Sequence, residues 1–100
     1  MAYPLSKLAV IRLAQRQAGA FGPKARIVSI SPGLIDTSMG RAEMAVHPQM
    51  SDMLNRTPLG RLGLADEIAS VAVFLCSAEA SYVSGCDIRV DGGTTAALRL

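Results

Sequence analysis

The chain has 100 residues, 50% of them apolar and 18% charged, with a formal net charge of +2. That balance excludes a disordered chain and suits one small domain with a packed interior. Lys and Arg are scattered rather than clustered, so a nucleic-acid surface is not expected, and no apolar run approaches the roughly 20 residues that span a bilayer.

Residues 3 to 18 predict a helix. Pro4 is tolerated because it falls in the first turn, where its missing N–H has no partner to lose. Arg12, Gln15 and Arg16 share one stripe, while Leu5, Leu8, Ala9, Ile11 and Ala14 occupy most of the rest. So wide an apolar surface predicts cover on more than one side. Arg12 and Arg16 read as a solvated face, with an anion site as the alternative. Gly19, Gly22 and Pro23 are stop signals.

Residues 25 to 31 predict a strand. Ile27, Val28 and Ile30 are β-branched, and the near-continuous apolar run suits a buried parallel strand. Pro32-Gly33 should end it. Residues 34 to 63 look irregular, with short helices expected around 41 to 46 and 48 to 56. This stretch holds Met39, Met44, Met50 and Met53. Residues 66 to 77 predict a second long helix. Asp66 and Glu67 suit its positive N-terminal end, and Ile68, Val71, Ala72, Leu75 and Cys76 form its apolar stripe. Residues 86 to 90 predict a second strand, closed by Gly92-Gly93 with no clear helix following.

The order is helix, strand, excursion, helix, strand: one βαβ unit with a helix in front and an insertion in the crossover. Two parallel strands cannot enclose a core by themselves, so more sheet or further copies of the chain are expected to supply the cover.

Cys76 and Cys86 match no metal spacing and read as reduced, partly buried thiols. No metal site is expected. His47 precedes Pro48 and reads as a turn residue without a catalytic role. Ser29, Ser31 and Ser51 lack a G-x-S-x-G context, which rejects a hydrolase. The opening residues show no basic segment before an apolar block, so no signal peptide is expected and a cytoplasmic location is.

Tyr3 and Lys7 are four apart at the start of the first helix, a spacing that puts phenol and ammonium on one face. A phenol has a reference pKa of about 10. An ammonium about 4 Å away stabilises the phenolate by roughly 4 kcal/mol at an effective dielectric near 20. That corresponds to about three pKa units before desolvation is subtracted, enough for a proton relay near neutral pH. Alone, Y-x-x-x-K is a weak signal.

The sequence Y-P-L-S-K (3–7), an apolar helix, an I-V-S-I strand and P-G-L-I-D-T (32–37) together resemble the active-site half of the short-chain dehydrogenase/reductase family. The resemblance continues through P-L-G-R-L-G (58–63), D-E-I-A-S-V-A-V-F-L-C-S (66–77), S-Y-V-S-G (81–85) and D-G-G (91–93), and covers essentially the whole chain. It implies an α/β fold, the C-terminal part of a doubly wound Rossmann-type parallel sheet. It also implies an NAD- or NADP-dependent oxidoreductase interconverting a small alcohol and a ketone, in a homodimer or homotetramer.

By this resemblance Tyr3 exchanges the proton with the substrate oxygen. Lys7 lowers the Tyr3 pKa and binds the nicotinamide ribose. Pro32-Gly33 lies at the ligand edge of the sheet, where Gly33 allows the nicotinamide a close approach. Ile35 offers backbone groups to the carboxamide, and Thr37 offers its hydroxyl. Residues from Ser38 to about Thr57 resemble the family's substrate lid. Its methionines suit either closure over an apolar ligand, steroid-like or alicyclic, or the filling of core gaps.

Family members of ordinary length also carry a glycine-rich phosphate loop, a cofactor-selecting residue after the second strand, and a serine before the tyrosine. None of these is found in the 100 residues. The cofactor-binding half is therefore expected to be absent and the 100 residues alone inactive. The alternative is a truncated, non-catalytic module that self-associates or docks onto full-length family members.

Overall fold

The computed structural model describes residues 5–98. The elements run α1 (Leu5–Phe21), β1 (Ser29–Pro32), α2 (Ser38–Val46), α3 (Pro48–Asn55), α4 (Ala65–Cys76), a 3₁₀ turn (Ala78–Ala80), β2 (Asp87–Val90) and α5 (Thr94–Leu98). β1 and β2 form a two-stranded sheet. Ser29 N–H donates to the Cys86 carbonyl at 3.1 Å and Gly33 N–H to that of Val90 at 3.0 Å. Donor and acceptor advance together along both strands, so the pair is parallel. The chain divides into two compact units: one holds Pro32–Ala69 and the chain from Arg89 onward, the other the chain up to Ser31 with Ser70–Ile88.

In the second of these units, α1 runs past Gly19 to Phe21, further than expected. One interior glycine costs about 1 kcal/mol, which a helix of good formers absorbs. Pro23, which cannot donate, ends it. Lys7, Ile11, Ala14, Gln15 and Ala18 are the half-buried positions of α1, a stripe at helical spacing. Leu5 (83% exposed), Val10 (58%) and Leu13 (57%) are largely in solvent, so the broad apolar surface is not covered by the chain's own described residues. The first strand starts at Ser29, later than expected, because residues before it are held by side chains instead of ladder bonds. Arg26 donates to the carbonyls of Val83 (3.3 Å) and Ser77 (3.4 Å), and Ile27 N–H donates to Ser84 Oγ (3.2 Å). Two residues apart on one face of β1, Ser29 and Ser31 both donate to Asp87 Oδ1, at 2.7 and 3.0 Å. This fixes the register of the strands with a half-buried carboxylate.

Among the described residues Ala80 is the buried apolar side chain, while Ser31, Thr57, Thr94 and Thr95 are the buried polar ones. An apolar half of the sequence has thus produced very little interior. Cys86 is half-buried as expected, whereas Cys76 is exposed; both are free thiols. Cys76 falls off the half-buried stripe of Ile68, Val71, Ala72 and Leu75.

In the first unit, the segment expected to be irregular is mostly helical. α2 starts at Ser38 because the Thr37 side chain accepts from Gly40 N–H at 3.0 Å, an N-cap that moves the start three residues earlier than expected. Pro48 opens α3 from its first turn. A helix also follows Gly92-Gly93 directly, where none was expected. Asp91 supplies the cap: Oδ1 accepts from Gly93 N–H at 2.9 Å and Oδ2 from Thr95 N–H at 3.1 Å. Five residues are too few for periodicity to reveal such a helix.

Candidate active site

The cleft begins where β1 ends. Ile35 N-flanks a short turn whose Asp36 N–H donates to the Gly63 carbonyl at 2.7 Å, while Gly63 N–H donates to that of Leu34 at 2.9 Å. These bonds form a parallel bridge between Ile35 and Gly63 and hold the turn against the approach to α4. The chain then enters α2 through Thr37. Gly40 makes the tight start possible: a Cβ there would lie 2.5 Å from the Ile35 carbonyl oxygen. Gly33, Leu34 and Ile35 from the strand exit, Thr37 at the cap, Met39, Gly40, Glu43 and Met44 from α2, and Met50 from α3 line one cleft.

Three of the sequence-predicted site residues, Gly33, Ile35 and Thr37, therefore meet in one place with Met39, Met44 and Met50. Pro32 is the exposed last residue of β1. Lys7 is half-buried on α1, in the other unit. Tyr3 lies outside the described residues. Thr37 Oγ1 accepts one bond at the cap, and its hydroxyl proton is available for donation to a ligand.

Gly33 has a structural reason of its own. A Cβ there would lie 2.6 Å from Asp91 Cβ and 2.7 Å from Asp91 Cα. The glycine lets the end of β1 approach β2 closely, whatever it does for a ligand. Glu43 and Gly40 were missed in the sequence. The signal that could have found them is the T-x-x-G-x-x-E spacing, which repeats at helical intervals from the cap.

A second cavity in the same unit is lined by Leu34, Thr57, Leu59, Arg61, Glu67 and Thr94, among others. Its polar groups already bond one another. The Thr57 and Thr94 hydroxyls are 2.6 Å apart, and Arg61 grips Glu67 through two bonds of 2.8 Å. Glu67 also accepts from Leu64 N–H at 2.9 Å, closing the start of α4. With its polar groups so engaged, it is the weaker ligand candidate. Among the described residues no group of three or more His, Cys, Asp or Glu side chains could hold a metal ion.

The electrostatics of this unit are dominated by short ion pairs. Arg61 holds the Glu67 carboxyl at a pKa of about 2, with the Leu64 N–H adding to the effect. Arg41, 2.5 Å from Asp36, lowers the Asp36 pKa. At Asp91 burial opposes ionisation, but the Thr95 and Gly93 hydrogen bonds outweigh it and the pKa falls. The Glu67 pair carries a pH prediction. Its folded pKa lies below the ordinary 4.5, so its contribution is fully present above about 4.5 and is lost as pH falls toward about 2. Glu67→Gln is expected to melt earlier than the parent at pH 7, with the gap closing across that acidic window. Thermal midpoints measured against pH check it; a gap independent of pH would contradict it.

Helix, strand, helical insertion, helix and strand, with parallel pairing, define the C-terminal part of a Rossmann-type α/β sheet. A family model described as Enoyl-(Acyl carrier protein) reductase matches residues 1–95. The chain is 38% identical over 97 residues to Short-chain dehydrogenase RED2 of Pyricularia oryzae, covering 93% of this chain and 34% of that protein. A short-chain type dehydrogenase/reductase from Mycobacterium ulcerans superposes with a TM-score of 0.85 at 41% identity, over 95% of this chain and 35% of its own. A 4-hydroxyisoleucine dehydrogenase complexed with NADH gives 0.84 at 34% identity, over 96% of this chain and 42% of that one. The chain belongs to the short-chain dehydrogenase/reductase family. It spans about a third of the length of the curated relatives it matches. No described helix is long and apolar enough to cross a membrane.

Proposed function

We propose that this chain supplies the proton relay, the nicotinamide pocket and the substrate lid of an NAD- or NADP-dependent oxidoreductase that interconverts a small, mainly apolar alcohol and its ketone in the cytoplasm. The observation that carries the reading is the single cleft in which Gly33, Ile35 and Thr37 meet Met39, Met44 and Met50. The residues fit a nicotinamide: the Thr37 hydroxyl can donate to the carboxamide oxygen while its oxygen stays committed to the helix cap, and the methionines shape themselves to an apolar ligand. The bound nicotinamide would give or take the hydride. Tyr3 delivers or removes the proton at its phenolic oxygen. Lys7 stabilises the phenolate and binds the ribose hydroxyls. Ile35 offers backbone groups beside Thr37. Residues from Ser38 to about Thr57 exclude water over the substrate.

On this reading the 100 residues alone are inactive. They contain no glycine-rich phosphate loop and no serine placed before the tyrosine, and an oxyanion-type donor is worth about 10² or more in rate. The active form is a homodimer or homotetramer, a view favoured by the exposed Leu5, Val10 and Leu13 on α1. The same surface favours the second reading, a non-catalytic module that docks onto full-length family members. Two preparations separate the readings: the 100 residues alone, and the same residues joined to the cofactor-binding half of a relative. Ketone-dependent loss of reduced nicotinamide is expected only in the second. Normal turnover by the 100 residues alone, or none by a folded joined protein with any ketone, would contradict the proposal.

Thr37→Asp tests the pocket. Aspartate caps a helix as well as threonine does but, ionised, has no proton to give. The cofactor KM is expected to rise at least about tenfold, the worth of one hydrogen bond in a closed site plus repulsion of the cofactor phosphates. Thr37→Ser should restore it. Equal KM values in Thr37→Asp and the parent would remove Thr37 from the cofactor site.

A further inference from the structure

We infer that Glu43 sets the charge class of the substrate, admitting neutral and cationic ketones or alcohols and disfavouring anionic ones. The inference rests on the reading of the cleft as the substrate site. Thr37 and Glu43 contribute the polar side chains of its lining; the rest are glycine, leucine, isoleucine and methionine. Thr37 is uncharged and its oxygen is engaged at the helix cap. Glu43 is thus the ionisable group among the described lining residues of the cleft, and it is exposed.

Among the described residues, no ion pair cancels that charge. Arg41, two residues away on α2, is drawn to Asp36 at 2.5 Å, and Arg56, beyond α3, lies 3.9 Å from Asp52. No ion pair to Glu43 forms among the described residues. Among the described residues no Lys or Arg lines the cleft, and thioethers give no hydrogen bond to an anion. A carboxylate-bearing substrate would therefore meet a like charge, with no counter-cation among the described lining residues to receive it. An ammonium-bearing one would find an acceptor with free lone pairs. Because Glu43 is exposed, salt and water temper the effect to about five- to tenfold instead of several orders of magnitude.

The test uses the joined protein and three ketones on one carbon skeleton, carrying no charge, a carboxylate or an ammonium. The readout is the ratio of kcat/KM for the anionic to the neutral ketone. We expect the parent to disfavour the anion about five- to tenfold, less at high salt. Glu43→Gln should bring the ratio near one, Glu43→Lys should invert it, and Glu43→Asp should keep the parental ranking. An unchanged ratio in Glu43→Gln overturns the inference. If no ketone is turned over at all, the assignment as an oxidoreductase fails separately. Affinities of 2-naphthol and naphthalene-2-sulfonate for the parent and Glu43→Gln then decide the charge question: tighter sulfonate binding by Glu43→Gln supports the inference, and equal binding overturns it.

Discussion

Tyr3→Phe is expected to lower kcat by about 10²- to 10⁴-fold, the usual worth of a placed general acid or base, while leaving the thermal midpoint close to that of the parent. Phenylalanine keeps the ring and removes the oxygen that carries the proton. The companion substitution, Lys7→Gln, separates catalysis from packing. Lys7 occupies the half-buried stripe of α1 with Ile11, Ala14 and Ala18, so its stem belongs to the packed face of the helix. Glutamine preserves much of the stem but deletes the charge. On the proposed reading the Tyr3 pKa then climbs back toward about 10. The alkaline rise of the alcohol-oxidation profile should move to higher pH, with the rate at pH 7 falling accordingly. A purely structural lysine would alter stability and leave the profile in place. The pH dependence of kcat in the joined protein checks this.

Gly33→Ala carries the second large effect, on stability. The new methyl would sit 2.6 Å from Asp91 Cβ and 2.7 Å from its Cα, with the Asp91 carbonyl oxygen at 3.2 Å. Two of these atoms are fixed close to the backbone, so no side-chain rotation relieves the contact. The strand ends must separate, which strains the Gly33 N–H bond to the Val90 carbonyl and the Asp91 cap of α5. A cost of about 1–3 kcal/mol or more is expected, typical of an overpacked site that cannot relax. Urea unfolding monitored by far-UV circular dichroism measures it. A midpoint equal to that of the parent would mean that the strand ends are not held this closely. The cofactor KM of this variant should also rise, because Gly33 borders the cleft.

Much of this was legible in the sequence. The β-branched run near Ile30 and the stripe from Ile68 to Leu75 announced a strand and a helix. The order P-G-L-I-D-T marked the strand exit where Gly33, Ile35 and Thr37 meet. Other features depend on contacts distant in sequence. Gly33 looked like a glycine made for a ligand, yet its missing methyl faces Asp91, far along the chain. Asp87 showed nothing in its own neighbourhood, because its partners Ser29 and Ser31 sit on the other strand. Thr37 and Asp91 start helices through side-chain caps that a hydropathy pattern does not register, which is why α2 begins early and α5 was not foreseen. Glu43 escaped notice because the T-x-x-G-x-x-E spacing that carries it is a weak signal by itself; only the cleft beside it gives it a task.

On the proposed reading the cleft at the exit of β1 receives the nicotinamide. A crystal structure of the joined protein with bound cofactor tests it most directly. The carboxamide is expected within hydrogen-bond distance, roughly 2.7–3.2 Å, of Thr37 Oγ1, with the ring beside Gly33 and Ile35. A nicotinamide bound elsewhere, such as in the cavity lined by Thr57 and Thr94, would contradict it.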